Sequence, residues 1–183
     1  MTELFNLSLS VLTLAAQVIA VVILVLHFSG KRDNLFFKLW EKHGLSFSFV
    51  IVLIGSIGSL IYSDVLGYLP CKLCWFERIC MYPQVVILLV ALKKKDGSEL
   101  FYAFWLSIIG AAISLYHHLI QVGVFPESAF CSIGATGDCS KLFVSTFFGY
   151  VTLPMMAFSA FTLVAVTAYV GFARPKNNVT LPQ

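Results

Sequence analysis

The chain has 183 residues, of which 59% are hydrophobic and only 11% are charged, and its mean hydropathy is +0.90. A soluble domain is usually about a quarter charged, and a soluble core of this size has no room for so much apolar surface. The composition therefore excludes an ordinary soluble protein and indicates lipid as the solvent. The net charge is only +3, and no basic patch lies outside the short loops, so we expect no nucleic-acid partner.

Five segments are long and apolar enough to cross a hydrocarbon core of about 30 Å as helices of about 20 residues. They cover residues 7–28, 45–66, 73–92, 100–122 and 147–172. Runs of this length are typical of helices, because barrel strands have about ten alternating residues. The first segment is followed by Lys31 and Arg32 and has no Lys or Arg before it, which indicates a retained helix and not a signal peptide. The sequence predicts an all-α polytopic membrane helix bundle.

Small residues and proline indicate how the second and fifth segments pack. Gly55 and Ser59 form a small-xxx-small pair in the second segment, which allows another helix to approach closely. Pro154 lies within the fifth segment, where we expect it to kink the helix.

The positions of Lys and Arg predict the orientation of the bundle. Nine of the twelve basic residues lie on one side, namely Lys31, Arg32, Lys38, Lys42, Lys93, Lys94, Lys95, Arg174 and Lys176. Lys72, Arg78 and Lys141 lie on the other side. Because cytoplasmic loops carry the excess of Lys and Arg, we expect an outer N-terminus, a cytoplasmic C-terminus and two outer loops at residues 67–72 and 123–146.

Four of the five cysteines lie in or beside these two outer loops. They are Cys71, Cys74, Cys131 and Cys139. Disulfides persist outside the cytoplasm, so the cysteines and the basic residues independently predict the same orientation. Cys80 lies among apolar residues of the third segment, and we expect it to be an inert small hydrophobic residue.

Cys71 and Cys74 form a CxxC motif at the start of the third segment, directly after Pro70. Two cysteines at this spacing can form a small disulfide ring that opens and closes readily. The partial positive charge of a helix N-terminus stabilises a thiolate, as does a nearby Arg or Lys. The alternatives for this motif are a static disulfide or one half of a metal site.

Two charged residues follow the CxxC motif within the predicted third span. Arg78 lies one helical turn below Cys74, and a charge at this depth indicates a functional site. Arg78 can hold a carbonyl oxygen of a lipid-soluble cofactor and stabilise the thiolate, or it can extend to the headgroups. We interpret Glu77 as a charge that faces solvent or headgroups.

The second cysteine pair, Cys131 and Cys139, encloses a loop with two glycines and small polar residues, which predicts a flexible segment. A disulfide here can react with another protein and then move towards the first pair, because exchange proceeds through a mixed disulfide. The alternative is a static loop disulfide. Zinc bound by all four cysteines is disfavoured by their position at the membrane edge, and we expect no metal ion.

His117 and His118 end the fourth segment near the predicted outer surface. At 1.5 Å per residue, His118 lies about 26 Å above Phe101, which is the level of the CxxC motif. An imidazole there can donate a hydrogen bond or carry a proton. The alternative for either histidine is packing at the membrane interface.

Three stretches together resemble the DsbB/BdbC family of disulfide bond formation proteins. They are residues 70–83 with the CxxC motif and Arg78, residues 116–119 with His118, and residues 137–140 followed by 148–154. The resemblance runs from about residue 45 to 172 and implies a four-helix membrane domain at residues 45–176. Residues 1–44 are then an extra N-terminal transmembrane helix with a cytoplasmic loop, and residues 177–183 are a cytoplasmic tail.

The resemblance implies a membrane oxidoreductase that reoxidises a thioredoxin-fold thiol oxidase of the DsbA kind. In this scheme the partner attacks the disulfide between Cys131 and Cys139 at Cys131. Cys139 then exchanges with Cys71, and Cys74 passes the electrons to a bound membrane quinone.

The same resemblance implies the acceptor and the location of the protein. The quinone is ubiquinone or menaquinone, held beside Cys74 by Arg78 and His118. The protein is then a multi-pass monomer of the bacterial inner membrane. The extra helix at residues 7–28 either docks a partner or anchors the chain.

Two other functions remain open from the sequence. A vitamin K epoxide reductase-like enzyme also combines a CxxC motif, loop cysteines and a quinone, but its loop pair precedes the CxxC motif, which is the reverse of the order here. A non-catalytic membrane protein with structural disulfides predicts cysteine pairs that resist mild reductant and no bound quinone.

Overall fold

The computed structural model describes residues 2–30, 35–94, 98–126, 131, 138–142, 145–146 and 149–172. Five helices in these ranges are long and apolar enough to cross a membrane. They are α1 (Thr2–Phe28), α2 (Leu35–Leu60), α3 (Lys72–Lys94), α4 (Glu99–Gln121) and α5 (Leu153–Phe172). The predicted all-α membrane helix bundle is confirmed.

Some of the residues used in the sequence predictions lie outside the described ranges. They include the basic residues Lys31, Arg32, Lys95, Arg174 and Lys176, the tail at residues 177–183, and residues 127–130, 132–137, 143–144 and 147–148. The orientation of the bundle in a membrane stays a prediction.

Helix α5 is the central helix of the bundle, since it packs along α4 and also contacts α1 and α2. Gly110 of α4 marks a close approach, because a Cβ atom there would lie only 2.6 Å from the ring of Phe161 in α5. Gly55 of α2 faces Met81 of α3 in a similar way, at 3.0 Å from the sulfur. Close approach at Gly55 agrees with the small-xxx-small pattern of the second segment.

The register between α3 and α4 is marked by a buried hydrogen bond. Ser107 Oγ of α4 donates to Gln84 Oε1 of α3 at 3.1 Å, and Gln84 Nε2 donates to Cys80 O in its own helix at 3.1 Å. A buried polar side chain needs such partners. This register brings the end of α4 beside the start of α3.

Helix α5 begins later than predicted. A two-stranded antiparallel ribbon, β1 (Ser145–Thr146) and β2 (Val151–Thr152), precedes it. Thr152 caps the helix, since its Oγ1 accepts a hydrogen bond from the Met155 N–H at 3.4 Å. Pro154 is the second residue of α5, where its missing N–H breaks no intrahelical bond. The predicted kink at Pro154 and the predicted start at residue 147 are therefore wrong.

Helix α2 continues as a π-helical turn, Ile61–Val65, before the chain turns towards the CxxC motif. Gly67 adopts φ 68°, a conformation that favours glycine. The short connection leads to Cys71, which directly precedes α3.

Candidate active site

The CxxC motif forms the N-terminus of α3. Cys71 precedes the helix and its carbonyl accepts the first helical bond, from Trp75 N at 3.2 Å. Its Sγ accepts the otherwise unpaired N–H of Cys74 at 3.2 Å. The two sulfur atoms lie 2.9 Å apart and are not joined. The CxxC pair therefore lies at the N-terminus of α3, where the partial positive charge of the helix can stabilise a thiolate, as the sequence predicts.

His117 of α4 is the third group at the motif. Its Nε2 lies 3.5 Å from Cys71 Sγ, and its Nδ1 lies 2.8 Å from Glu77 Oε1 of α3. The imidazole is only 1% exposed, and the Glu77 side chain is 12% exposed. The interpretation of Glu77 as a charge facing solvent or headgroups is wrong, because its carboxylate orients the ring of His117 towards the sulfur of Cys71.

These contacts stabilise a thiolate on Cys71. The hydrogen bond from the Cys74 thiol is the largest cause, and the contact with His117 adds to it, whereas burial opposes both. Together they lower the pKa of Cys71 well below its ordinary value. Cys71 is therefore the thiol of the reduced CxxC pair that ionises first.

We expect one thiolate of the reduced chain to form at a pH well below the ordinary pKa of a cysteine thiol, because the contacts of Cys71 lower its pKa. The measurement is the ultraviolet absorbance of thiolate against pH, in a Cys131→Ser/Cys139→Ser chain. His117→Ala should raise the midpoint, since it removes the second contact, and Cys80→Ser should leave it unchanged. A first midpoint near 9.0 in the parent chain would contradict the assignment.

The second cysteine pair lies against the first. Cys131 and Cys139 form a disulfide, and both are almost fully buried. One buried cluster contains Cys71, Leu73, Ile120, Cys131 and Cys139, and Cys74 packs at its edge. The structure thus brings the four predicted catalytic cysteines together at one end of the bundle.

Cys74 also lines a cavity of about 330 Å³ between α1, α2, α3 and α5. Most of the lining is apolar, and Glu77 and Arg78 provide charged groups beside the thiol. Small-molecule sites are typically clefts of about 300–1,000 Å³ with a mainly apolar lining and a few polar groups. A quinone ring with an apolar tail fits the chemistry of this lining.

Ser59 of α2 orients the guanidinium of Arg78. Arg78 Nε donates to Ser59 Oγ at 2.8 Å and Nη2 donates to Ser59 O at 2.9 Å. The guanidinium has five N–H groups, so others remain for an acceptor oxygen in the cavity. Its Cζ also lies 5.4 Å from the ring centre of Trp75. The assignment of Arg78 as a cofactor ligand stays a prediction.

His118 lies elsewhere. Its Nδ1 is 2.9 Å from Thr152 Oγ1, and its ring contacts Tyr150 edge-on, at the start of α5. It is not among the described residues that line the cavity. The assignment of His118 to the acceptor stays a prediction, whereas its neighbour His117 is the histidine found at the CxxC motif. Cys80 is buried in the apolar core, as expected.

Cys71, Cys74 and His117 also place three donor atoms within 4.8 Å of one another. A metal ion can use such a spacing, and Glu77 would orient the imidazole in the usual way. The expected absence of a metal stays a prediction.

Residues 42–171 match the family model described as disulfide bond formation protein DsbB. The chain is 41% identical over 116 residues to the SPbeta prophage-derived disulfide bond formation protein B of Bacillus subtilis (strain 168), covering 63% of this chain and 76% of that protein. It is 39% identical over 138 residues to a probable disulfide formation protein C of Halalkalibacterium halodurans, covering 75% of this chain and 93% of that protein. No solved structure matches. The chain therefore belongs to the DsbB family of disulfide bond formation proteins.

Proposed function

We propose that this oxidoreductase of disulfide bond formation carries electrons from a DsbA-like thioredoxin-fold oxidase to ubiquinone or menaquinone in the membrane. One observation carries the proposal: the two cysteines of the CxxC motif face different neighbours. Cys71 packs with the loop disulfide. Cys74 lines the apolar cavity beside Arg78. The motif therefore connects the loop disulfide with an apolar cavity.

The exchange begins at the loop disulfide. A thiolate of the partner attacks Cys131 and releases Cys139 as a thiolate, which gives a mixed disulfide between the partner and Cys131. Cys139 then attacks the sulfur of Cys71 in the oxidised CxxC pair and releases Cys74. The second thiol of the partner resolves the mixed disulfide, so that the partner leaves oxidised and Cys131 is reduced.

The low pKa of Cys71 supports the next step. Cys131 attacks Cys139 in the disulfide between Cys71 and Cys139, and Cys71 is the leaving group. A thiol of lower pKa leaves faster, and the contacts of Cys71 lower its pKa. The products are the loop disulfide and the CxxC dithiol, which is the arrangement present in the structure.

The CxxC pair is then reoxidised at the cavity. A quinone bound there would supply an acceptor for the two electrons and two protons of the dithiol. Cys74 holds its sulfur at the cavity wall, and Arg78 can donate a hydrogen bond to a carbonyl oxygen there. The paired side chains of His117 and Glu77 can carry a proton away from the thiols.

We further propose that the cysteine end faces the outside of a bacterial inner membrane. The excess of Lys and Arg in the loops at the opposite end supports this orientation.

The test follows quinone absorbance in detergent while a reduced thioredoxin-fold partner is added. The unchanged chain and the Cys80→Ser control should consume quinone, whereas Cys74→Ser and Cys131→Ser should not. Consumption that survives Cys131→Ser would show that the two pairs do not act in series. If no quinone and no partner gives consumption, the chain is a membrane protein with structural disulfides.

A further inference from the structure

Helix α1 lies outside the family match, which begins at residue 42, yet it borders the cavity beside Cys74. Its lining residues are Leu9, Leu12, Thr13, Ala15, Ala16 and Ile19. We infer that α1 forms one wall of the quinone site and limits the size of the quinone ring that binds there. This inference rests on the proposed function.

Polar bonds hold α1 against the residues around the cavity. Asn6 Oδ1 accepts a hydrogen bond from Tyr62 Oη at 2.5 Å, in the π-helical turn after α2. Gln17 Nε2 donates to Ser159 Oγ of α5 at 2.8 Å, and Gln17 Oε1 accepts from Tyr150 Oη at 3.1 Å. Polar side chains within apolar spans commonly join neighbouring helices. A helix that only anchored the chain would not require these bonds.

Apolar packing fixes the other half of α1. Ala20 and Ile23 of α1 are almost fully buried. Their cluster also contains Phe37, Trp40, Leu163, Val166 and Val170, from α2 and α5. Helix α1 is therefore packed along its length, and its position in the bundle is defined.

Small side chains of α1 leave part of the cavity open. Ala15 and Ala16 lie in the lining where a larger residue would project into the space. Side chains of a helix point towards its N-terminus, so a larger side chain at residue 16 extends towards the level of Leu12 and Thr13. The volume of about 330 Å³ is near the lower end for ligand sites, and added bulk should therefore exclude larger rings first.

The experiment compares two phenylalanine substitutions in α1. Ala16→Phe adds bulk to the cavity, and Val18→Phe adds the same ring type at a position that is 63% exposed and not in the lining. The probes are a one-ring benzoquinone and a two-ring naphthoquinone, each with one isoprenoid unit. Binding is measured by quenching of tryptophan fluorescence, since Trp40 lines the cavity.

Ala16→Phe should weaken naphthoquinone binding about tenfold or more, because extra bulk in a packed space is destabilising. The same substitution should weaken benzoquinone binding less. Val18→Phe should change neither, and both variants should still exchange disulfides with the partner. Unchanged binding in Ala16→Phe would overturn the role of α1 and leave the proposed function intact. If the unsubstituted chain neither binds nor reduces any quinone, the proposed function fails, and the inference fails with it.

A second measurement does not depend on the folding of a variant. A photoreactive quinone is bound to the unsubstituted chain, illuminated, and the labelled peptides are identified. Label on α1 together with α3 is expected. Label confined to α3 and α5 would overturn the inference, whereas the proposed quinone site would stand.

Discussion

A Cys74→Ser/Cys131→Ser chain, which keeps only Cys71 and Cys139 of the four site cysteines, should lose electron transfer. On mild oxidation it should form a disulfide between these two residues. Cys71 and Cys139 belong to one buried cluster, and Cys71 is the low-pKa thiol of its pair. Serine at residue 74 keeps a hydroxyl that can donate to Cys71. Quinone reduction should fall by on the order of 10³-fold or more, because removing one residue of a catalytic unit costs about as much activity as removing all of them.

The control for this Cys74→Ser/Cys131→Ser chain is Cys71→Ser/Cys131→Ser, which keeps Cys74 and Cys139. Both lack electron transfer, but the control should form its disulfide at least about tenfold more slowly, because its remaining cysteines are less well placed for attack. Peptide mapping without reductant measures the two disulfides over time. Equal rates, or a faster reaction of Cys74, would contradict the assignment of Cys71 to the loop pair and of Cys74 to the cavity.

Hydropathy was sufficient to predict the five spans, because lipid requires long apolar helices. It was not sufficient for the start of α5. Val151 and Thr152 form a short strand, and a short run of apolar and β-branched residues can belong to a strand or to a helix. The signal that was present in the sequence is Thr152 followed by Pro154, a cap and a first-turn proline.

The site also combines residues that are close in sequence, whose proximity could be predicted, with residues that are distant in sequence, whose contact could not. The CxxC motif and Arg78 lie within eight residues of one helix start, so their common site could be read along the chain. Glu77 and His117 are 40 residues apart, and their pairing depends on the register of α4 against α3. Consecutive helical residues point about 100° apart, so the sequence alone could not decide whether His117 or His118 faces Cys71.

Helix α1 carried no catalytic motif, and the sequence left its role open. Asn6 and Gln17 were the available signals, because polar side chains in an apolar span indicate contact with another helix. Which helix they contact follows only from the packing of the bundle.

Gly110→Val should lower the stability of the bundle by about 3 kcal/mol, at the upper end of the cost of overpacking. A Cβ atom at Gly110 would lie 2.6 Å from the ring of Phe161, which is itself 1% exposed and cannot move aside without displacing its neighbours. The expected fall in the thermal midpoint is roughly 6–12 °C for a chain of this length. Thermal unfolding in detergent measures it.

Gly58→Ala is the matched control, because a Cβ atom at Gly58 of α2 meets nothing within 4 Å. Alanine is also the better helix former by up to about 1 kcal/mol, so this variant should lose no stability. The comparison also bears on the site, since α4 carries His117 and is held at Gly110 against α5. A Gly110→Val chain as stable as the control would contradict the close approach of α4 and α5, on which the position of His117 beside Cys71 depends.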